Sequence, residues 1–146
     1  MVPMRALLRE LESRRGEMVR LLGAFVRAES PSFDKAAVDR FGRMVAAEWK
    51  KRGAQVTLLP QRTRGAHVRA EWWPGRGKPQ GQILVLGHLD TVYDLGTLAR
   101  MPFRIRRGRA WGPGTFDMKG GLVLALFAVD ALRHAKIAPG KKAVFL

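Results

Sequence analysis

The first third of the chain repeats apolar residues at intervals of three and four positions, which is the spacing of helices with one buried face. The first repeat predicts a helix over about residues 4–28, which ends before Pro31 because proline disfavours helix in the residue preceding it. Ser32 or Asp34 can cap a second helix, which ends near Gly53. The apolar face of this second helix carries Val38, Phe41, Val45 and Trp49.

Short apolar runs separated by turn-forming residues follow, and they predict β-strands. The predicted strands are Gln55–Leu59, His67–Trp72, 83–86, 103–106, Arg109–Trp111 and 141–146, of which the fourth and fifth form a hairpin. Residues 83–86 are apolar at every position, which predicts a strand buried on both faces of a sheet. A buried strand is also predicted at 141–146, after a helix over about 119–135. This alternation predicts an α/β fold with a mixed, partly parallel sheet flanked by helices.

The composition narrows the class of protein and the kind of metal site. At 146 residues, 47% of them hydrophobic, the chain can form one domain or part of one. It contains no cysteine, so any metal must be bound by nitrogen and oxygen atoms. Charges from Arg5 onward leave no signal-peptide core and no apolar run reaches bilayer length, so we expect a soluble, cytoplasmic protein with no membrane partner. The sequence stops inside an apolar strand, and we expect a longer natural polypeptide.

The net charge of +15 raises the alternative of a nucleic-acid-binding module. The basic residues are scattered along the chain, and no stripe of them is interleaved with stacking aromatic side chains. The familiar helix-turn-helix, zinc-finger and ribonucleoprotein patterns do not occur. We therefore interpret the charge as a solvated basic surface and expect no nucleic-acid partner.

His88 and Asp90 follow the strand predicted at residues 83–86. Residues two apart in an extended strand face the same side, so the two side chains are expected to project into one space. One interpretation is a metal ligand, His88, whose ring is oriented by Asp90. The other is a hydrogen-bonded structural pair, and so short a pattern taken alone favours this second interpretation.

Asp117 lies in the glycine-rich stretch GPGTFDMKGG, directly before the helix predicted at 119–135. An aspartate in this position is either an ordinary helix cap or a ligand. The stretch lacks the spacing and the Lys-Ser/Thr pair of a phosphate-binding P-loop, and it is not a dinucleotide fingerprint.

The loops that carry these residues are expected to meet, because ligands of open α/β sheets gather at the carboxyl ends of strands. Imidazole and carboxylate donors suit zinc, and a carboxylate can bridge two ions. His88, Asp90 and Asp117 taken together therefore favour a metal site. His67, which has basic neighbours, and His134, in the last turn of a helix, are weaker candidates.

The stretch from Gly87 to Gly121 contains GHLDTV, a PF segment and GPGTFDMKGG in this order. It resembles the co-catalytic zinc metallopeptidases and amidohydrolases, a family that includes glutamate carboxypeptidase, acetylornithine deacetylase, succinyl-diaminopimelate desuccinylase and aminoacylase. Tyr93 and the LARMPF stretch are most similar to the glutamate carboxypeptidase branch. The resemblance extends more weakly over the N-terminal helices and the first strand.

The resemblance implies a role for each candidate residue. His88 is a ligand of one zinc ion, Asp90 is the catalytic-site carboxylate that orients His88, and Asp117 bridges two zinc ions, for which Co²⁺ or Mn²⁺ can substitute. The peptide bond between Asp117 and Met118 is implied to be cis. The implied reaction is hydrolysis of a peptide or N-acyl amino-acid amide bond, of the exopeptidase or carboxypeptidase type, by metal-bound hydroxide.

Residues 1–146 are then expected to be the N-terminal part of the catalytic domain. The general base, the remaining zinc ligands and the lid domain, which carries homodimer contacts and substrate recognition in this family, have no counterpart in the sequence. We therefore expect this chain alone to bind zinc weakly and to be inactive. The alternative is a non-catalytic domain of the same fold that serves binding or assembly.

Overall fold

The computed structural model describes residues 4–146, so residues 1–3 of the predicted domain lie outside it. Its α-helices are α1 (Met4–Ser13), α2 (Arg15–Arg27), α3 (Lys35–Lys51) and α4 (Gly120–His134). The second predicted helix is confirmed as α3, and the helix predicted over 119–135 is confirmed as α4. The Asp34 side chain caps α3 by accepting a hydrogen bond from the backbone N–H of Ala37 at 2.8 Å.

The single helix predicted over 4–28 is wrong, because the chain breaks between α1 and α2 at Arg14. This residue has φ −97° and ψ 10°, outside the usual helical region. Its guanidinium group contacts Glu17 at 2.7 Å and Asp130 at 3.5 Å. The amphipathic spacing continues through the break, which is why the sequence pattern did not reveal it.

The six predicted strands are all present. They are β1 (Gln55–Leu59), β2 (His67–Trp72), β3 (Gln82–Val85), β4 (Arg104–Arg106), β5 (Arg109–Trp111) and β6 (Lys142–Phe145). The main sheet has the order β1-β2-β6-β3, in which only β3 and β6 run parallel. Strands β4 and β5 form a separate antiparallel hairpin. The prediction of an α/β fold with a mixed, partly parallel sheet flanked by helices is confirmed.

The core lies where the helices meet the main sheet. Phe25 of α2 packs edge-to-face on Phe41 of α3, with ring centroids 5.2 Å apart. Trp49 of α3 stacks on Phe145 of β6 at 4.1 Å. Helix α4 adds a buried face to this cluster, made of Val123, Leu126, Phe127 and Val129. These contacts fix the strand ends from which the candidate loops emerge.

The prediction that residues 83–86 are buried on both faces is wrong. The side chains of Ile83, Leu84, Val85 and Leu86 are 40–65% exposed. Within the described part of the chain, β3 is an edge strand that pairs only with β6, so nothing packs against its outer edge. Strand β6 lies between β2 and β3, and its Val144 is buried while its other residues are half-buried.

No helix among residues 4–146 is long and apolar enough to span a bilayer.

Candidate metal centre

The His88 loop begins where the β3–β6 ladder ends. The ladder continues one step beyond the strands, because the backbone N–H of Gly87 donates to the carbonyl oxygen of Leu146 at 2.8 Å. A Cβ atom at Gly87 would lie 3.2 Å from Cε of Met118, tighter than most real contacts. Glycine therefore allows the second loop, which contains Met118, to approach this strand end closely.

The Asp117 loop enters α4 through two glycines with positive φ, Gly112 at +149° and Gly114 at +67°. The peptide bond between Asp117 and Met118 is cis, as the resemblance implied. Lys119 occupies the N-cap position of α4 and no side chain caps that helix. The interpretation of Asp117 as an ordinary helix cap is therefore wrong.

The carboxylate of Asp117 instead meets the ring of His88. The distance from Nε2 of His88 to Oδ1 of Asp117 is 2.9 Å. On the other side of the ring, Nδ1 lies 2.9 Å from the main-chain oxygen of Asp90 and 3.4 Å from its carboxylate oxygen Oδ1. The structure thus brings all three predicted residues together. The closer contact that orients the ring comes from the main chain of Asp90 rather than from its side chain.

Two opposing effects set the pKa of His88. Partial burial lowers the pKa, but the hydrogen bonds with Asp117 and with the Asp90 carbonyl stabilise the protonated ring more strongly. The net result is a pKa raised above its ordinary value of 6.5. A metal ion bound at Nε2 would have to displace this proton, as metal ions generally do at histidine ligands.

The donor set fits part of a zinc site. His88 and Asp117 supply one imidazole and one carboxylate, which are donor types that zinc accepts. A catalytic zinc ion typically has three protein ligands and a water molecule. Across residues 4–146, no group of three or more His, Asp or Glu side chains is arranged to hold a metal ion. The donor chemistry is therefore suitable, but the described residues provide too few donors for a complete site.

A cleft of about 350 Å³ adjoins the two candidate ligands. Its walls include His88, Asp90 and Asp117, together with the exposed aromatic side chains of Trp111 and Phe116. The hairpin of β4 and β5 contributes Trp111, so this small second sheet forms one side of the cleft. The remaining histidines are placed differently: His67 is exposed on β2, and His134 contacts Glu10 at 3.3 Å at the end of α4.

The chain is similar in sequence to known peptidases. Residues 84–146 match the model of Peptidase family M20/M25/M40. Carboxypeptidase G2 from Pseudomonas sp. (strain RS-16) is 33% identical to the chain over 120 residues, which is 80% of this chain. These two matches show that the chain is related to the M20 peptidase family through residues 84–146.

Two solved structures of peptidases have the same fold as the chain. Human carnosine dipeptidase 1 superposes with a TM-score of 0.84 at 20% identity and covers 99% of this chain. The M20 family metallo-carboxypeptidase Sso-CP2 from Sulfolobus solfataricus superposes with a TM-score of 0.70 at 20% identity and covers 88%. The chain spans 28% of the length of carboxypeptidase G2, and 34% and 30% of the two solved chains.

Sequence reasoning missed several residues that hold the two loops of the candidate centre. The backbone N–H of His88 donates to the sulfur of Met118 at 3.2 Å. Three further side chains form hydrogen bonds at these loops. Ser30 bonds to the His88 loop, and Glu29 bonds to the residues that follow that loop. Lys119 connects the Asp117 loop to the end of α2. The only sequence signal at Glu29 and Ser30 was a helix stop, which carries no information about long-range partners.

Glu29 accepts hydrogen bonds from the backbone N–H groups of Gly96 and Leu98, at 2.8 and 2.9 Å. These two bonds lower the pKa of Glu29 below its ordinary value of 4.5. Because the folded-state pKa is the lower one, the ionised carboxylate stabilises the fold above pH 4.5, and this stabilisation is lost as the pH falls through the lowered value.

We expect Glu29→Gln to lower the free energy of unfolding at neutral pH and to make it less dependent on pH in the acid range. Chemical denaturation of both proteins at a series of pH values from about 3 to 6 measures this difference around the carboxylate pKa. Parallel pH profiles for the two proteins would contradict the assignment.

Proposed function

We propose that the chain is the N-terminal part of the catalytic domain of a zinc-dependent hydrolase that cleaves peptide or N-acyl amino-acid amide bonds. The observation that carries the proposal is the 2.9 Å approach of His88 Nε2 to Asp117 Oδ1, across two loops that are separate in sequence. The match of residues 84–146 to the M20 peptidase family supports a peptidase-type reaction. The name of carboxypeptidase G2 favours removal of a C-terminal residue.

Each of the three residues has a distinct task in the proposed site. His88 presents Nε2 as a nitrogen ligand, since its Nδ1 is engaged by the main-chain oxygen of Asp90. Asp117 provides a carboxylate that is 82% exposed and so accessible to ions that it can bridge. A bound divalent ion, zinc or in its place Co²⁺ or Mn²⁺, would polarise the scissile carbonyl and activate water.

We propose that further polypeptide supplies the general base and the missing ligands. Two observations support this step: the chain spans about a third or less of the relatives compared above, and the apolar side chains of β3 are 40–52% exposed at an edge of the sheet. Contiguous exposed apolar surface usually marks a contact with other polypeptide. This chain alone is therefore proposed to bind zinc weakly and to be inactive.

The proposal extends to partners and location. The exposed aromatic side chains beside the candidate ligands suit a small peptide or N-acyl amino-acid substrate. We also propose that the intact protein forms a homodimer through a lid domain, lies in the cytoplasm and has no nucleic-acid partner.

A non-catalytic domain of the same fold is the second candidate. It is favoured by the lack of a three-ligand cluster among residues 4–146. Such a domain would serve binding or assembly, and it would not need the His88–Asp117 pair to remain intact.

The test is hydrolysis of a blocked dipeptide with a C-terminal glutamate by the intact natural protein. We expect the free amino acid to be released, the activity to be lost on treatment with a chelator, and zinc to restore it. The 146-residue chain by itself should release none. Hydrolysis that a chelator does not affect would contradict a metal mechanism, and no hydrolysis of any blocked dipeptide by the intact protein would favour the non-catalytic domain.

A further inference from the structure

A five-residue stretch of the connection between α2 and α3, residues 28–32, runs alongside the His88 loop. We call it the linking segment. Its central residue, Ser30, is fully buried, and its hydroxyl donates to the main-chain oxygen of Leu89 at 2.8 Å. The main-chain oxygen of Ser30 accepts from the N–H of Thr91 at 2.8 Å. The linking segment therefore bonds to the residues that flank Asp90 on both sides.

The same segment is bonded to the Asp117 loop by Lys119. This lysine is only 2% exposed, and its ammonium group donates to the main-chain oxygens of Phe25 and Ala28 at 2.9 and 2.7 Å. Phe25 lies in the last turn of α2 and Ala28 is the C-cap of that helix, so no backbone N–H of a following turn is available to their carbonyls. The ammonium also lies 4.2 Å from the ring centroid of Phe41, a favourable cation–π contact.

Two buried polar side chains thus hold the two halves of the candidate centre to one short stretch of backbone. Ser30 bonds to Leu89, one residue after His88, and Lys119 itself lies two residues after Asp117. Neither contacts the candidate ligands directly, so each can act only through the loop backbone.

We propose that Ser30 and Lys119 are positioning residues that set the separation of His88 and Asp117 and so make the pair competent to bind a metal ion. This inference rests on the proposed function as far as the metal is concerned. The position of the His88 side chain relative to the Asp117 side chain is a property of the metal-free protein, so it can be measured without the metal.

The variants are Ser30→Ala and Lys119→Met, made in the intact natural protein. Each removes the side-chain hydrogen bonds described above, leaves the main-chain bond from Thr91 to Ser30 in place, and substitutes a side chain that fits an apolar environment. Val129→Ala is the matched control, because Val129 is a 3% exposed core residue of α4 that lies about 15 Å further along the helix from Lys119. Its truncation destabilises the fold without touching the linking segment.

Two quantities are measured at a temperature where every variant is folded. The first is the dissociation constant for zinc, obtained by competition with a chelator. The second is the side-chain ¹⁵N shifts of His88 in the metal-free protein, which report the hydrogen bond with Asp117. We expect Ser30→Ala and Lys119→Met to weaken zinc binding by at least about 10-fold, the range found when groups that orient ligands are removed. Both should also shift the His88 signals, while Val129→Ala changes neither quantity although its melting temperature falls.

Zinc affinity and His88 shifts that match the unaltered protein in both variants would overturn the proposal. Equal losses in Val129→Ala would also overturn it, because the effect would then be one of general stability. If Lys119→Met does not fold, Ser30→Ala carries the test alone. If the unaltered protein binds no zinc, the proposed function fails, and the ¹⁵N shifts still decide whether the two residues position the pair.

Discussion

Replacing His88 or Asp117 with alanine is expected to abolish zinc-dependent hydrolysis by the intact protein. Each replacement removes one of only two candidate ligands that the structure brings together at 2.9 Å. Loss of a group that merely orients a ligand typically lowers metal affinity by about 10- to 100-fold, and loss of the ligand itself should exceed that range. Zinc affinity and the rate of amide hydrolysis, measured on the same preparations, check the expectation.

The control variants come from the same chain. His134→Ala removes an exposed histidine outside the site, and it should leave zinc binding unchanged. Asp90→Asn keeps the main-chain oxygen that lies 2.9 Å from Nδ1 of His88 and alters only the side chain at 3.4 Å. We therefore expect a smaller loss for Asp90→Asn than for the two ligand variants. Full activity in His88→Ala or Asp117→Ala would refute the assignment of the site.

The sequence was sufficient to predict which residues meet at this site. His88 and Asp90 share a strand end, and Asp117 precedes a helix, so the rule that ligands gather at strand ends already placed them together. The sequence could not show that the main chain of Asp90 is the nearer partner of the ring. The distances from Nδ1 to the two oxygens of Asp90 differ by only about half an ångström. Residue spacing in a sequence cannot predict so small a difference.

The errors in the fold have a common physical origin. The run at residues 83–86 indicated burial because apolar residues usually face a core, yet its exposure depends on which polypeptide lies beside β3. Arg14, at which the helix breaks, likewise has a distant partner, Asp130, 116 residues away. Local periodicity predicts the type of an element well, but it carries no information about such long-range neighbours.

Lys119 and Ser30 illustrate the same limit at the site. A lysine in a glycine-rich loop is ordinarily read as a phosphate or solvent contact, and here it is buried against the last turn of α2. Burial lowers the pKa of Lys119 to about 8. The carbonyl partners of Lys119 lie 94 and 91 residues earlier in the chain, so the local sequence does not reveal its contacts.

Asp130 is the centre of a buried ion network that joins three helices. Its carboxylate lies 2.9 Å from the guanidinium of Arg52, and 3.5 and 3.4 Å from those of Arg14 and Arg133. The side chains of Asp130 and Arg52 are only 7% and 8% exposed. Arg52 also donates to the main-chain oxygens of Leu126 and Glu48, so its position is fixed at the end of α3. The network therefore holds α3 and the break between α1 and α2 against α4.

Asp130→Ala is expected to lower the free energy of unfolding by about 3 kcal/mol, the low end of the usual cost of removing one partner of a buried ion pair, because Glu48 still pairs with Arg52. The loss arises because buried Arg52 keeps only one of its two carboxylate partners, Glu48 at 2.8 Å, while Arg14 loses its contact with Asp130. Urea denaturation of the variant measures this change. The matched control is Glu17→Gln, which removes a surface carboxylate that also contacts Arg14, and it should have a much smaller effect. Equal losses in the two variants would show that the ion pairs of Asp130 do not hold the helices together.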